Sequence, residues 1–428
     1  MVLIYKLMSF LKCNKEKKVL KILSKETYQE ASKNYTERSF MQTVEMAELL
    51  ERRGFKVTYL GWVRDGEVSV SAILYSMPET GGLRMEVNSG PASSNPEDLK
   101  PFYSALRDYA KANGALELII KPYDTYQTFD SNGQATSEER KELIADLTDL
   151  GYAFDGLQTG YPGGEPDWHY VKDLTGLTKE TLRKSYSKKG RPLANKTSSF
   201  GIKVRTLTRD ELSIFKEITS STSERREYKD KSLDYYQDFY DSFGDKAEFV
   251  VATLNFKDYL AHLQKDMATH QKELNEVNEK LAENPNSAKQ KKVKTQMEKQ
   301  LATFETRVEE AKAFIDKYGE EDVVLAGSLF IYTPQEVVYL FSGSYTEFNK
   351  FYAPVVLQEH VMTKAIEKGI PFYTFLGIQG IFDGSDGVLR FKQNFKGYIV
   401  RKMGTFRYYP KPMKYKMIKG IKRLLRRY

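Results

Sequence analysis

Two long stretches with apolar residues in alternating steps of three and four, separated by a turn and enclosed by strand-like runs, constrain this chain more than any other feature. Leu263, Met267, His270, Leu274, Val277 and Leu281 form the first series, and Leu301, Phe304, Val308, Ala311, Ile315 and Tyr318 the second. That spacing lays one apolar stripe along each helix, and ENPNSAKQ between them, with Pro285 and two asparagines, reverses the chain. An antiparallel coiled-coil hairpin over 257–319 follows. It is preceded by EFVVATLNF and followed by VVLAGSLFIYT, both strand-like, so it is an arm inserted into an α/β unit and projecting from it. His262 and His270 lie in the arm, where a seam or surface role is expected rather than metal ligation.

The rest of the chain alternates helices and strands, which implies layered α/β architecture. FMQTVEMAELLERRGF carries helical spacing at Phe40, Val44, Ala47 and Leu50 and ends at Gly54. Strand-like KVTYLGWV, EVSVSAILY and LRMEVNSG come next. A helix follows, capped by Asn95 with Pro96 at its first position, and then the apolar strand ALELIIKP. A similar plan recurs from Arg209 onward: a helix over DELSIFKEITSSTSERR, the two strands flanking the arm, EVVYLFSGS, a helix over APVVLQEHVMTKAIEKG, and PFYTFLG. Two similar domains are predicted, over 27–155 and 156–410, with the arm inserted in the second and basic amphipathic segments at 1–26 and 411–428.

Charge is distributed unevenly along the chain. Net charge is +8, yet Asp386 is the last acidic residue and residues 387–428 hold 14 Lys and Arg. Without them the body has 66 − 14 = 52 basic against 58 acidic residues. The first 25 residues repeat the bias, with seven lysines against Glu16. Basic ends of this kind meet polyanions, either nucleic acid or an anionic membrane leaflet. In KPMKYKMIKGIKRLLRRY, Met417, Ile421, Leu424, Leu425 and Tyr428 share one helical face, the pattern of an interfacial helix; docking on the protein body is the alternative.

No apolar stretch approaches the roughly 20 residues of a membrane-spanning helix. The opening MVLIYKLMSFLKCNKEKK does not read as a signal peptide, because Lys6 interrupts its apolar run and the lysine cluster follows rather than precedes it. Cys13 is the only cysteine, which excludes an intrachain disulfide and fits a reducing cytoplasm. No GxxxxGK loop, GxSxG elbow or zinc-protease signature occurs, and His169 and His360 have no partners at metal-ligand spacing.

The chemistry-bearing stretch is PFYTFLGIQGIFDGSDGVLRFKQNFKGYIVRKMGTFRYYP. An apolar strand opens into a glycine-rich loop that leads to Phe391 and Lys392. Glycines permit close approach of a ligand, and a lysine held among aromatics is poorly solvated and suited to stabilising an oxyanion. Read on physics alone, Arg390, Lys392 and Lys396 could equally be solvated charges on a turn.

Taken with SYSKKGRPLANKTSSFGIKV, TSSTSERREYKDKSLDYYQDFY, the opening helix and the arm, this stretch resembles the Fem/Mur (FemABX) family of tRNA-dependent peptidoglycan aminoacyltransferases, its streptococcal MurM and MurN branch in particular. The resemblance covers about 27–410. It implies two acetyltransferase-like (GNAT-like) domains and an arm similar to that of seryl-tRNA synthetases. It also implies a reaction at the cytoplasmic membrane face, in which an amine of lipid II, on the stem-peptide lysine or the first bridge residue, attacks the ester of an aminoacyl-tRNA. The ester is already activated, so no metal, ATP or coenzyme A is implied.

Under this resemblance Lys392 occupies the catalytic FK position, with Phe391 beside it. Arg191 matches an arginine that grips precursor phosphates, a task suited to the bidentate guanidinium, with Lys196 assisting. Tyr235 and Tyr236 fall where a substrate-facing tyrosine is expected. Lys289, Lys291, Lys292 and Lys294 at the arm's tip are candidates for tRNA phosphates. Three positions depart from the pattern: Met46 and Leu50 replace a tryptophan and a lysine, and Thr405 replaces an acidic residue. No general base stands out. Two other readings compete, a coenzyme A-dependent acetyltransferase, against which no QxxGxG-type turn is found, and a non-enzymatic tRNA- or membrane-bound adaptor.

Overall fold

The computed structural model describes residues 18–425. Two eight-stranded sheets form the body, built by running one plan twice. The first pass is β1 (Lys18–Ile22), α1 (Lys25–Ala31), α2 (Val44–Arg52), β2 (Lys56–Arg64), β3 (Glu67–Glu79), β4 (Gly82–Asn88), the short β5 (Ala92–Ser93), α3 (Leu99–Ala112) and β6 (Ala115–Lys121). A linking segment follows, with β7 (Thr125–Phe129), α4 (Lys141–Asp149), β8 (Ala153–Phe154), β9 (Trp168–Asp173), α5 (Lys179–Leu182) and α6 (Gly190–Ser198). The second pass is β10 (Lys203–Thr206), α7 (Leu212–Arg226), α8 (Leu233–Phe243), β11 (Ala247–Asn255), the arm helices α9 (Phe256–Glu283) and α10 (Ala288–Tyr318), β12 (Asp322–Tyr332), β13 (Glu336–Ser344), α11 (Ala353–Glu367) and β14 (Phe372–Ile378). The chain closes with α12 (Gly387–Lys392), β15 (Tyr398–Lys402), β16 (Phe406–Tyr408) and α13 (Pro412–Leu424).

Each pass has an edge strand, two helices, a three-stranded antiparallel meander and a helical crossover to a strand parallel to the last one. This is the duplicated acetyltransferase-like plan expected from the sequence. Where β2 meets β3 through Asp65 and Gly66, both at positive φ as a tight hairpin turn requires, β11 meets β12 through the whole arm. Asn255 starts the arm, its side chain accepting from the Lys257 and Asp258 amides at 3.0 Å. Leu263, Leu274, Val277, Leu301 and Val308 are buried along its seam. At its root, Phe256 and Phe314 stack 4.5 Å apart and pack with Phe348 and Phe351.

The sheets do not divide the chain at 155/156. β7, from the first half, pairs with β15 in the second sheet, and β16, from the end, pairs with β6 and β8 in the first. Each sheet is thus completed by a strand from the other half, and α2 shares a core with α8 through Val44, Ala47, Leu50, Phe239 and Phe243. Within the N-terminal basic segment, residues 18–22 form β1, hydrogen-bonded to β2. Residues 1–17 of that segment, and Tyr428 of the tail, lie outside the described residues.

Candidate active site

The two passes differ where their parallel strands end. In the first, β4 and β6 stay paired from Leu83 and Ala115 through Asn88 and Lys121. In the second, β13 and β14 pair only over Glu336–Val338 and then separate. β14 breaks register between Thr374 and Gly377 against β9, with Leu376 at φ 53°, a conformation that costs a branched residue free energy. The second pair of strands thus splays apart where the first stays paired.

Lys392 enters the second strand end. It is the last residue of α12, only 3% exposed, and its Nζ donates to the Leu376 oxygen at 3.1 Å and the Gly377 oxygen at 2.5 Å. The FK stretch is therefore a short helix, and Lys392 is not a solvated charge on a turn. Asp386 caps that helix, accepting from the Val388, Leu389 and Gln379 amides at 2.8, 3.2 and 3.1 Å. Its carboxylate thus holds the loop and has no hydrogen bond to the lysine. Burial brings the Lys392 amine down to about 7, with the Asp386 charge opposing the shift. His169, from β9, is held near 3 by burial and by the Lys402 and Lys392 charges, so it stays neutral. Phe391 is half-buried and meets Phe395 edge to face at 5.5 Å.

α6 packs behind this helix. The Ser187 amide donates to the Asn394 oxygen at 3.0 Å, and a Cβ on Gly190 would lie 1.9 Å from that oxygen. The contact brings the segment of Arg191 to the FK helix, with the exposed guanidinium donating to the Lys184 oxygen at 2.7 Å. Gly190→Ala is expected to push α6 off Asn394 and destabilise the protein by about 1–3 kcal/mol, read as a lowered Tm in calorimetry; an unchanged Tm would show that α6 is not anchored there. Lys196 does not join Arg191. Five residues on, it faces another direction and lies over the rings of Tyr352 and Phe200 near the arm root, at 5.3 and 6.0 Å.

The tyrosine pair separates in the same way. Tyr236 is fully buried and donates to Asp230 at 2.9 Å, so it is a core residue and not substrate-facing. Tyr235 is half-buried, with the Arg53 guanidinium 5.1 Å and the Lys231 amine 5.3 Å from its ring centre. Met46 and Leu50 are buried, whereas Arg53 is exposed at the C-cap that ends α2. The arm lysines stand apart from this centre: Lys289, Lys291 and Lys292 are exposed in the first two turns of α10, and Lys294 is half-buried, 3.8 Å from Glu298. Among the described residues no cluster of His, Cys, Asp and Glu could hold a metal ion.

Comparison with known proteins gives the family and the fold. Aminoacyltransferase FemA of Staphylococcus aureus (strain NCTC 8325 / PS 47) is 28% identical over 376 residues, 86% of this chain and 89% of that protein. FemA of strain bovine RF122 / ET3-1 matches to the same extent. The crystal structure of FemX superposes with a TM-score of 0.73 at 21% identity, covering 94% of this chain and 99% of that one. The pattern of the FemAB family matches residues 23–423, and the chain belongs to that family.

Proposed function

We propose that this aminoacyltransferase moves an amino acid, alanine or serine, from aminoacyl-tRNA to an amine of lipid II, extending the peptidoglycan cross-bridge. The observation that carries the reading is Lys392, buried where β13 and β14 separate, in a chain of this family. The amine attacks the ester carbonyl, the carbonyl oxygen gains negative charge, and the Lys392 ammonium stabilises it in a water-poor site where charge contacts are strong. Arg191 and the Arg53–Lys231 pair around Tyr235 supply cations for the acceptor's phosphates, and the arm-tip lysines supply cations for tRNA. Purified protein given alanyl- or seryl-tRNA and lipid II is expected to lengthen the stem peptide, scored by mass spectrometry; no extension with either donor would refute the assignment.

A lipid-linked acceptor requires work at a membrane surface, and α13 fits that location. It docks on the β3–β4 turn through Ile418, whose Cδ1 occupies the space a Cβ on Gly81 would take, and through Lys422, 2.7 Å from Glu79. The opposite face leaves Met413, Met417 and Leu424 exposed at 85%, 61% and 84%, beside Lys414, Lys416, Lys419 and Arg423. The helix is thus both docked and amphipathic. No helix among the described residues is long and apolar enough to cross a membrane; the amphipathic α13 supports peripheral attachment at the cytoplasmic leaflet, with about 1 kcal/mol from each basic residue. Met417→Asp with Leu424→Asp is expected to cut binding to phosphatidylglycerol vesicles at least tenfold in a flotation assay while the fold is retained. Undiminished binding would place the membrane contact elsewhere.

A further inference from the structure

Within the transfer reaction proposed above, on which this inference rests, the surroundings of Lys392 leave one question open: where the proton of the attacking amine goes. Asp386, the carboxylate whose charge acts on Lys392, does not serve. Asp386 spends its oxygens on three backbone amides. His169 on β9 is neutral, and its Nε2 lies 3.3 Å from the Pro166 oxygen. Tyr161, whose ring borders Gly377, has its hydroxyl pushed up by burial and by the Asp386 charge, with Arg226 opposing.

Lys392 has the required geometry. A neutral amine has two N–H bonds and one lone pair, and here two backbone oxygens take two N–H bonds while among the described residues no carboxylate forms an ion pair with it. What remains on Nζ is a lone pair in the neutral form and a third N–H in the charged form, both on the side away from the two carbonyls. Burial holds the group close to the midpoint between these forms at neutral pH.

We infer that Lys392 carries the proton of the reaction: its neutral amine accepts the proton from the attacking nitrogen and then delivers it to the ribose oxygen that leaves. The neutral acceptor amine forms the C–N bond, its proton passes to Nζ, the C–O bond to ribose breaks, and Nζ returns the proton to that oxygen. No proton is gained or lost overall. The cation therefore arises as the oxyanion does, so one side chain performs both roles without a standing buried charge.

Chemical rescue tests this. Lys392→Ala, checked for native circular dichroism, is assayed for extended acceptor in the presence of small primary amines of graded basicity at fixed pH. The expected result is at least tenfold rescue proportional to the free-base form and steeper for more basic amines. Rescue that follows the ammonium form, or no rescue by any amine, overturns the inference. Lys392→Arg adds an independent arm, because guanidinium keeps charge and donors but does not deprotonate. It is expected within tenfold of the alanine variant, and activity near wild type overturns the shuttle. If the wild-type protein itself forms no extended product, the transferase reading fails first, an outcome distinct from an active wild type whose variants behave electrostatically.

Discussion

Lys392→Met is expected to lower kcat by about 10²–10³-fold with little change in Tm, the loss typical of removing one oxyanion donor. Two opposing effects keep stability close to wild type. The substitution removes the desolvation of a buried amine, and it leaves the Leu376 and Gly377 oxygens without their donor. The pH dependence separates them. Burial lowers Lys392 from the ordinary 10.5 to about 7 and Lys172, which donates to the Phe395 oxygen, to about 8. Between those values and 10.5 the unfolded chain binds protons that the folded chain does not, so these groups make stability rise with pH across that window. In Lys392→Met the rise should be shallower, measured by urea unfolding at neutral and alkaline pH. Full kcat in this variant would remove Lys392 from the chemistry.

How far the centre could be read in advance depends on whether its parts are local in the chain. The FK stretch and the arm were legible because glycines, aromatics and heptad spacing are short-range signals. The duplicated plan was legible because each pass repeats helix and strand periods in order. The exchange of β7 and β16 was not, since strands of five and three residues carry little pattern and their partners lie far along the chain. Nor was the burial of Tyr236. Adjacent residues on a helix point about 100° apart, and only the packing of α8 on Phe215 and Phe249 decides which of the two faces inward. The bend at Leu376 that creates the Lys392 site lies in a run, PFYTFLG, that reads as an uninterrupted strand. Its cause is tertiary: the carbonyls turn toward a lysine 15 and 16 residues downstream.

Shortening the arm is expected to weaken aminoacyl-tRNA use while leaving the body folded, and the duplication shows where to cut. The first pass joins the equivalent strands with the two residues Asp65 and Gly66, so the meander does not need the arm in order to close. Its root must stay, because Phe256, Tyr259, Leu263, Val308, Ala311 and Phe314 belong to the core of the second unit, and removing them would expose Phe348 and Phe351. Joining the chain after Leu263 to a point just before Val308 by a short glycine-containing turn keeps those contacts and removes Lys289, Lys291, Lys292 and Lys294. If all four meet tRNA phosphates, the slope of log affinity against log salt should fall by about 3, with affinity at low salt reduced at least tenfold. Tm and vesicle binding through α13 should be unaffected. An unchanged salt slope would instead assign the arm to contacts between protein chains, which sedimentation at rising concentration would detect.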